Sequence, residues 1–206
     1  MNIIDKKIAQ EIIEAGKKLH QAGLAPATAG NYSMRLSDAA VAITVSGKHK
    51  GELTEDDIIQ VDYQGHAIDT DKKPSAETLL HTSLYQLYPD VNAVLHTHSI
   101  CSTVLSRFFQ DAGVLTLQDY ELQKVFPDVD THEGNVPVPI FENSQDIAKL
   151  AKIVSKSLHE FGTPPGYLIA GHGLYTWGNT MQDALRHVEG LEFLFGCELE
   201  LLKLKM

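Results

Sequence analysis

Apolar residues recur along this chain with two periods, and the switches between them divide it into elements. Ile4, Ile8, Ile12 and Leu19, filled in by Ile13 and Ala15, make a helical stripe over residues 3–22, closed by Gly23. Residues 30–36 and 41–45 then alternate like paired strands around a polar turn at Ser37 and Asp38. Thr54 to Asp57 forms a capping-box variant ahead of a strand at 58–63. Leu79, Leu80, Leu84 and Leu87 predict a helix over 76–88, and the apolar run 91–95 predicts a strand. A helix over 99–108 and a short strand over 114–117 follow. The extended segment 136–140 carries Pro137 and Pro139, which place it at a sheet edge. Asp146 and its neighbours cap a helix reaching about residue 161. Strands at 166–170 and 174–177 flank a Gly-His-Gly turn, and Thr180 opens a last helix with Leu185, Val188, Leu191, Leu194 and Phe195 on one face. This alternation predicts an α/β fold, a three-layer α/β/α domain with a central, mainly antiparallel sheet.

Composition narrows the partners. The 206 residues suit one domain spanning 1–206, with 43% hydrophobic content for its core. A net charge of −10 without any basic run argues against a nucleic-acid partner, although a small phosphorylated substrate is compatible with it. No apolar window is long enough for a membrane span, and residues 1–21 carry charges throughout, unlike a secretory signal. A soluble cytoplasmic protein is expected. Cys101 and Cys197 have no metal-site spacing and are expected as buried free thiols in a reducing compartment.

The chemistry concentrates at the end of the 91–95 run, where His96 and His98 point to the same side of a strand. His172, in the second strand-turn signal, offers a third imidazole. Three neutral nitrogens leave one position open on a zinc-like ion, the pattern of a catalytic rather than a structural metal. A lone histidine leaving a strand is ordinarily a plain polar residue; the spaced pair and the third candidate together tip the reading to metal. Three loops rich in small and hydroxyl residues, 27–33, 45–48 and 73–75, have the character of an anion cradle, although each alone reads as an ordinary turn. Glu77 falls in a first helical turn, suited to a metal ligand, an acid/base or a charge set against the helix dipole. Glu121 reads locally as one more surface charge, and the seven remaining histidines as solvent-facing or satisfied core residues.

The segments Thr28-Ala-Gly-Asn31-Tyr-Ser33, Thr44-Val-Ser46-Gly47, Pro74-Ser75-Ala-Glu77, His96-Thr-His98-Ser99 and Gly171-His172-Gly173-Leu174 together resemble the class II aldolase/adducin family, over roughly residues 5–195. The resemblance implies a class II aldolase-like domain in which His96, His98 and His172 bind one divalent ion, usually Zn2+. It implies that Thr28, Asn31, Ser46, Gly47 and Ser75 hold the phosphate of a small phosphorylated ketose. Ala76 stands where the family has a second phosphate-site serine. The likeness is nearest to the dehydratase branch, whose acid/base glutamate matches Glu121, while Glu77 occupies the position of the aldolases' catalytic glutamate. A homotetramer with active sites between subunits is implied. The same family holds aldolases, 4-epimerases and the non-catalytic adducin association modules; the last would be expected to lack these histidines.

Overall fold

The computed structural model describes residues 4–205. Eight strands form one sheet in the order β3-β2-β1-β4-β8-β7-β6-β5. They are β1 (Asn31–Ser37), β2 (Ala40–Thr44), β3 (Ile58–Val61), β4 (Ala93–Thr97), β5 (Val114–Gln118), β6 (Asn135–Phe141), β7 (Gly166–Ile169) and β8 (Gly173–Gly178). Every neighbouring pair is antiparallel except β6 with β7. Five helices cover it: α1 (Lys6–Gln21), α2 (Thr78–Leu87), α3 (Ile100–Phe108), α4 (Ile147–Ser157) and α5 (Met181–Leu204). The expected three-layer α/β/α arrangement is therefore present. The expected start of α1 at residue 3 lies outside the described residues.

Strand alternation decides which side chains meet which layer. Val41, Ile43, Val94, Tyr167 and Tyr175 pack with Leu80, Leu84 and Tyr85 of α2 and Leu150 and Val154 of α4. Their sheet neighbours face the other way: Ala42, Ala93 and Leu95 pack under α1 and the start of α5. Leu168 and Leu174 pack under α3 and the middle of α5. Side-chain caps start helices at Asp5, Ser99, Asp146 and Thr180, the last two where the sequence places them. Thr54 and Asp57 form the capping box of a 3-10 turn, Glu55–Asp57, ahead of β3.

Two expectations are corrected. The proline strand β6 is not the sheet edge: β5 lies outside it, and Pro137 and Pro139 pair with Thr116 and Val114. The proline argument holds on one side only. The Ile140 N–H donates toward β5, to Gly113 O, so by alternation the missing N–H of each proline faces β7. On that side β6 pairs only at Ile140 and Phe141, beyond both prolines. Cys101 and Cys197 are free thiols as expected, but only partly buried. Among the described residues no helix is long and apolar enough to cross a membrane.

Candidate metal centre

The start of β1, the end of β2, the end of β4 and the start of β8 all lie at one end of the sheet. Asn31 sits opposite His96, and Thr97 opposite Leu174. His96 points into the α2 layer and stacks on the Tyr175 ring at 4.0 Å. The β7–β8 turn brings in His172, with Gly171 in the left-handed region at φ 65°. Helix α3 anchors that turn: Gly171 N–H donates to Ser106 Oγ at 3.0 Å, and Thr103 Oγ1 donates to His172 O at 3.2 Å. Gly173 permits the close approach of β8 to β4, since a Cβ there would lie 2.1 Å from Thr97 O.

One ligand nitrogen from each of His96, His98 and His172 falls within 4.8 Å of the others. The Nε2 atoms of His96 and His98 are 2.8 Å apart. His96 Nδ1–H donates to Leu174 O at 2.9 Å, which fixes its tautomer and leaves the Nε2 lone pair directed at the cluster. Burial pushes the His96 pKa well below its ordinary value, although Glu77 pulls the other way. Burial, aided by His172, lowers His98 to about 4. These two imidazoles are thus neutral at pH 7, the form that binds a metal, and the three-nitrogen donor set fits a zinc-like divalent ion.

Glu77 faces the cluster from the N-cap position of α2, one residue before the helix begins rather than inside its first turn as expected. Its Oε1 lies 3.0 Å from His172 Nε2, and its Oε2 lies 3.4 Å from His96 Nε2. Oε2 also accepts from Asn31 Nδ2 and from Tyr175 O–H, both at 2.8 Å. Burial alone would raise its pKa; the imidazoles of His96 and His172 and the Asn31 amide outweigh that and hold it well below the usual carboxylate range. It is an ionised, acceptor-only group beside three nitrogens.

The three small-residue loops meet at the same end of the sheet. Ser46 N–H donates to Lys73 O and Ser75 N–H to Thr44 O, joining the second loop to the third. Lys50 joins the first to the second: its buried ammonium donates to Thr28 O at 2.9 Å and Lys48 O at 2.6 Å. Burial lowers the Lys50 pKa to about 8 against the opposing charge of Asp57. Thr28, Asn31, Ser46, Gly47 and Ser75 therefore belong to one connected rim. Asn31 already gives its carbonyl and one amide hydrogen to protein partners.

Glu121 is placed elsewhere. It begins the 3-10 turn Glu121–Val125, where Val125 and Phe126 pack on Gly190 of α5, on the sheet face opposite α2. Its carboxylate is exposed and pairs with Lys124 and His132, which lower its pKa. Within one chain it does not meet the histidine cluster. Conversely, the structure brings in residues that sequence reasoning passed over: His81, Tyr85, Tyr175 and Lys50. The first two had a signal, because Glu77, His81 and Tyr85 share one helical face at i, i+4 and i+8.

Residues 10–199 match the family described as the Class II Aldolase and Adducin N-terminal domain. The chain belongs to this family. Among its class II aldolase relatives, methylthioribulose-1-phosphate dehydratase of Hahella chejuensis is 57% identical over 197 residues, covering 96% of this chain and 95% of that protein. The protein of the same name from Pseudomonas aeruginosa is 56% identical, covering 99% of each chain. The structure of an L-fuculose 1-phosphate aldolase overlays with a TM-score of 0.82 at 24% identity, covering 99% of this chain and 90% of that one. That of the Thermus thermophilus L-fuculose-1-phosphate aldolase overlays with a TM-score of 0.77, also at 24% identity, covering 97% and 96%. These two structures attest the class II aldolase fold.

Proposed function

We propose that this chain is a methylthioribulose-1-phosphate dehydratase, a hydro-lyase that removes water from 5-methylthioribulose 1-phosphate to give 2,3-diketo-5-methylthiopentyl 1-phosphate, in methionine salvage. The observation that carries the reading is identity of 57% along nearly the whole length of a protein so named. The convergence of His96, His98 and His172 beside Glu77 supports it. We read 1–206 as a single domain of a cytoplasmic homotetramer. Exposed Ile100, Val104 and Phe108 along α3, with Phe193, Leu201 and Leu204 on α5, are apolar surface of the kind subunit contacts cover.

His96, His98 and His172 would hold one Zn2+ per subunit, which when bound supplies a Lewis acid for charge developing on the ketose oxygens. Thr28, Ser46, Gly47, Ser75 and the remaining amide hydrogen of Asn31 would hold the phosphate, with Lys50 keeping their loops together. The reaction needs one base for the C3 proton and one acid for the departing C4 hydroxyl. Glu77, beside the cluster, would accept the C3 proton. Glu121 would deliver a proton to the C4 hydroxyl so that water leaves, acting on the site of a neighbouring copy. The enol that remains then tautomerises to the diketone.

The alternative within the family is aldol cleavage or 4-epimerisation, favoured by the aldolase fold and by Glu77 at the cluster. Incubation with 5-methylthioribulose 1-phosphate separates them. A diketone product is expected; release of dihydroxyacetone phosphate would overturn the dehydratase reading. A non-catalytic, adducin-like association module is disfavoured by the retained histidines, and turnover of any kind excludes it.

A further inference from the structure

A buried chain of hydrogen bonds runs from the interior to Glu77. Tyr85 O–H lies 2.8 Å from Ser33 Oγ, which lies 2.7 Å from His81 Nδ1. His81 Nε2 lies 2.5 Å from Asn31 Oδ1, and Asn31 Nδ2 lies 2.8 Å from Glu77 Oε2. His81 and Ser33 are fully buried. Asn31 presents its NH2 to Glu77 Oε2, an oxygen that also accepts from Tyr175 O–H. The Asn31 carbonyl then faces His81, so His81 carries its proton on Nε2 and accepts at Nδ1 from the Ser33 hydroxyl. Ser33 in turn accepts from Tyr85. One set of directions satisfies every member.

We propose that His81 is a positioning residue: as the neutral Nε2–H tautomer, it locks the Asn31 amide with its NH2 toward Glu77 and so aims the carboxylate at the three imidazoles. Were the amide turned over, Asn31 Oδ1 would face Glu77 Oε2, acceptor against acceptor. Tyr175 O–H would then be left as the uncharged donor to that oxygen. Burial agrees with the neutral form, lowering the His81 pKa to about 3 against the pull of Glu77. Tyr85 and Ser33 hold the far side of the ring, so the orientation is set from the core, away from solvent. The two ring nitrogens of His81 are taken up by Ser33 and Asn31, so its hydrogen bonds reach Glu77 through Asn31, while its ring lies edge-on to Tyr175 at 5.7 Å.

The inference rests on Glu77 working in the proposed reaction, and the test keeps the two apart. Imidazole 15N–1H correlation spectra of the full-length, metal-free protein at neutral pH should show His81 as the Nε2–H tautomer. An Nδ1–H tautomer or an imidazolium overturns the proposal, whatever the substrate proves to be. In the zinc-loaded enzyme, H81L should lower kcat by about 10–100-fold with metal content little changed, and H81Q, which keeps a donor and an acceptor, should recover most of the loss. Full kcat in folded H81L, or an equal loss in H81Q, overturns it. If H81L does not fold, the tautomer and H81Q still decide. If the wild type leaves the thio-sugar phosphate unchanged while the tautomer is as stated, the reading of function fails and the positioning stands.

Discussion

Asn31 and His96 sit directly opposite each other across β1 and β4. The residue that holds the Glu77 carboxylate and the most deeply buried imidazole of the cluster are therefore set by one strand register. A one-residue slip of either strand would turn its own member of the pair to the other face, because successive side chains alternate. The site is thus as rigid as the sheet that carries it.

Glu77→Gln tests the carboxylate without disturbing that register. The amide keeps the size of the side chain but loses its charge and basicity. Zinc content should stay at one per chain while kcat falls by about 10²–10⁴-fold. Metal analysis beside steady-state kinetics checks both halves. Loss of zinc as well would make Glu77 part of the metal's binding set.

Gly173→Ala tests the contact between β8 and β4. The added methyl would lie 2.1 Å from Thr97 O and 3.1 Å from His96 Cε1, so backbone must move. Thermal unfolding should report a loss of about 1–3 kcal/mol. Separating the strands also draws His172 from His96, so zinc affinity should fall even in the fraction that folds. Unchanged affinity would mean that the two strands hold the imidazoles independently.

Much of this was legible in the sequence because both periods are strong and the chemistry falls at element ends. The His96–His98 spacing alone fixes two rings on one side of a strand. What was hidden is pairing through space. Asn31 and Ser33 share a face of β1, and Glu77, His81 and Tyr85 share a face of α2, yet only the packing of α2 on that sheet face joins the two sets. His81 accordingly reads as an ordinary helical histidine when taken alone. The prolines of β6 were sound evidence for an unpaired N–H side, but β5 pairs on the other side. Glu121 had no local signal at all, and its place on α5 follows from a turn rather than from any period.

Asp57 gives a pH dependence to the loop that carries Ser46 and Gly47. Its carboxylate accepts from Thr54 N–H and Oγ1 and pairs with Lys48 at 3.0 Å. Burial would raise its pKa; Lys48 and Thr54 outweigh that and lower it. A depressed folded-state pKa stabilises the fold above the unfolded carboxylate value of about 3.9, and the gain is lost as pH falls through the folded value. Asp57→Asn should therefore cost about 1–2 kcal/mol at pH 7, with the difference from wild type shrinking below about pH 4. Urea unfolding at pH 7 and pH 3 measures it; an equal difference at both would remove the charge from the explanation.

Glu121 decides whether the proposed tetramer is part of the chemistry. In its own chain it pairs with Lys124 and His132 on the face opposite α2, so any catalytic reach must cross to a neighbouring copy. Glu121→Gln should keep zinc and lose turnover by about 10²-fold or more. His96→Ala should lose both metal and turnover. Unfolding and refolding the two variants together then gives oligomers in which some sites combine an intact histidine set from one chain with an intact Glu121 from another. Activity should reappear in the mixture, although each variant alone is inactive. A mixture as inactive as its parts would exclude crossing, and a fully active Glu121→Gln would leave Glu77 as the working carboxylate for both proton transfers.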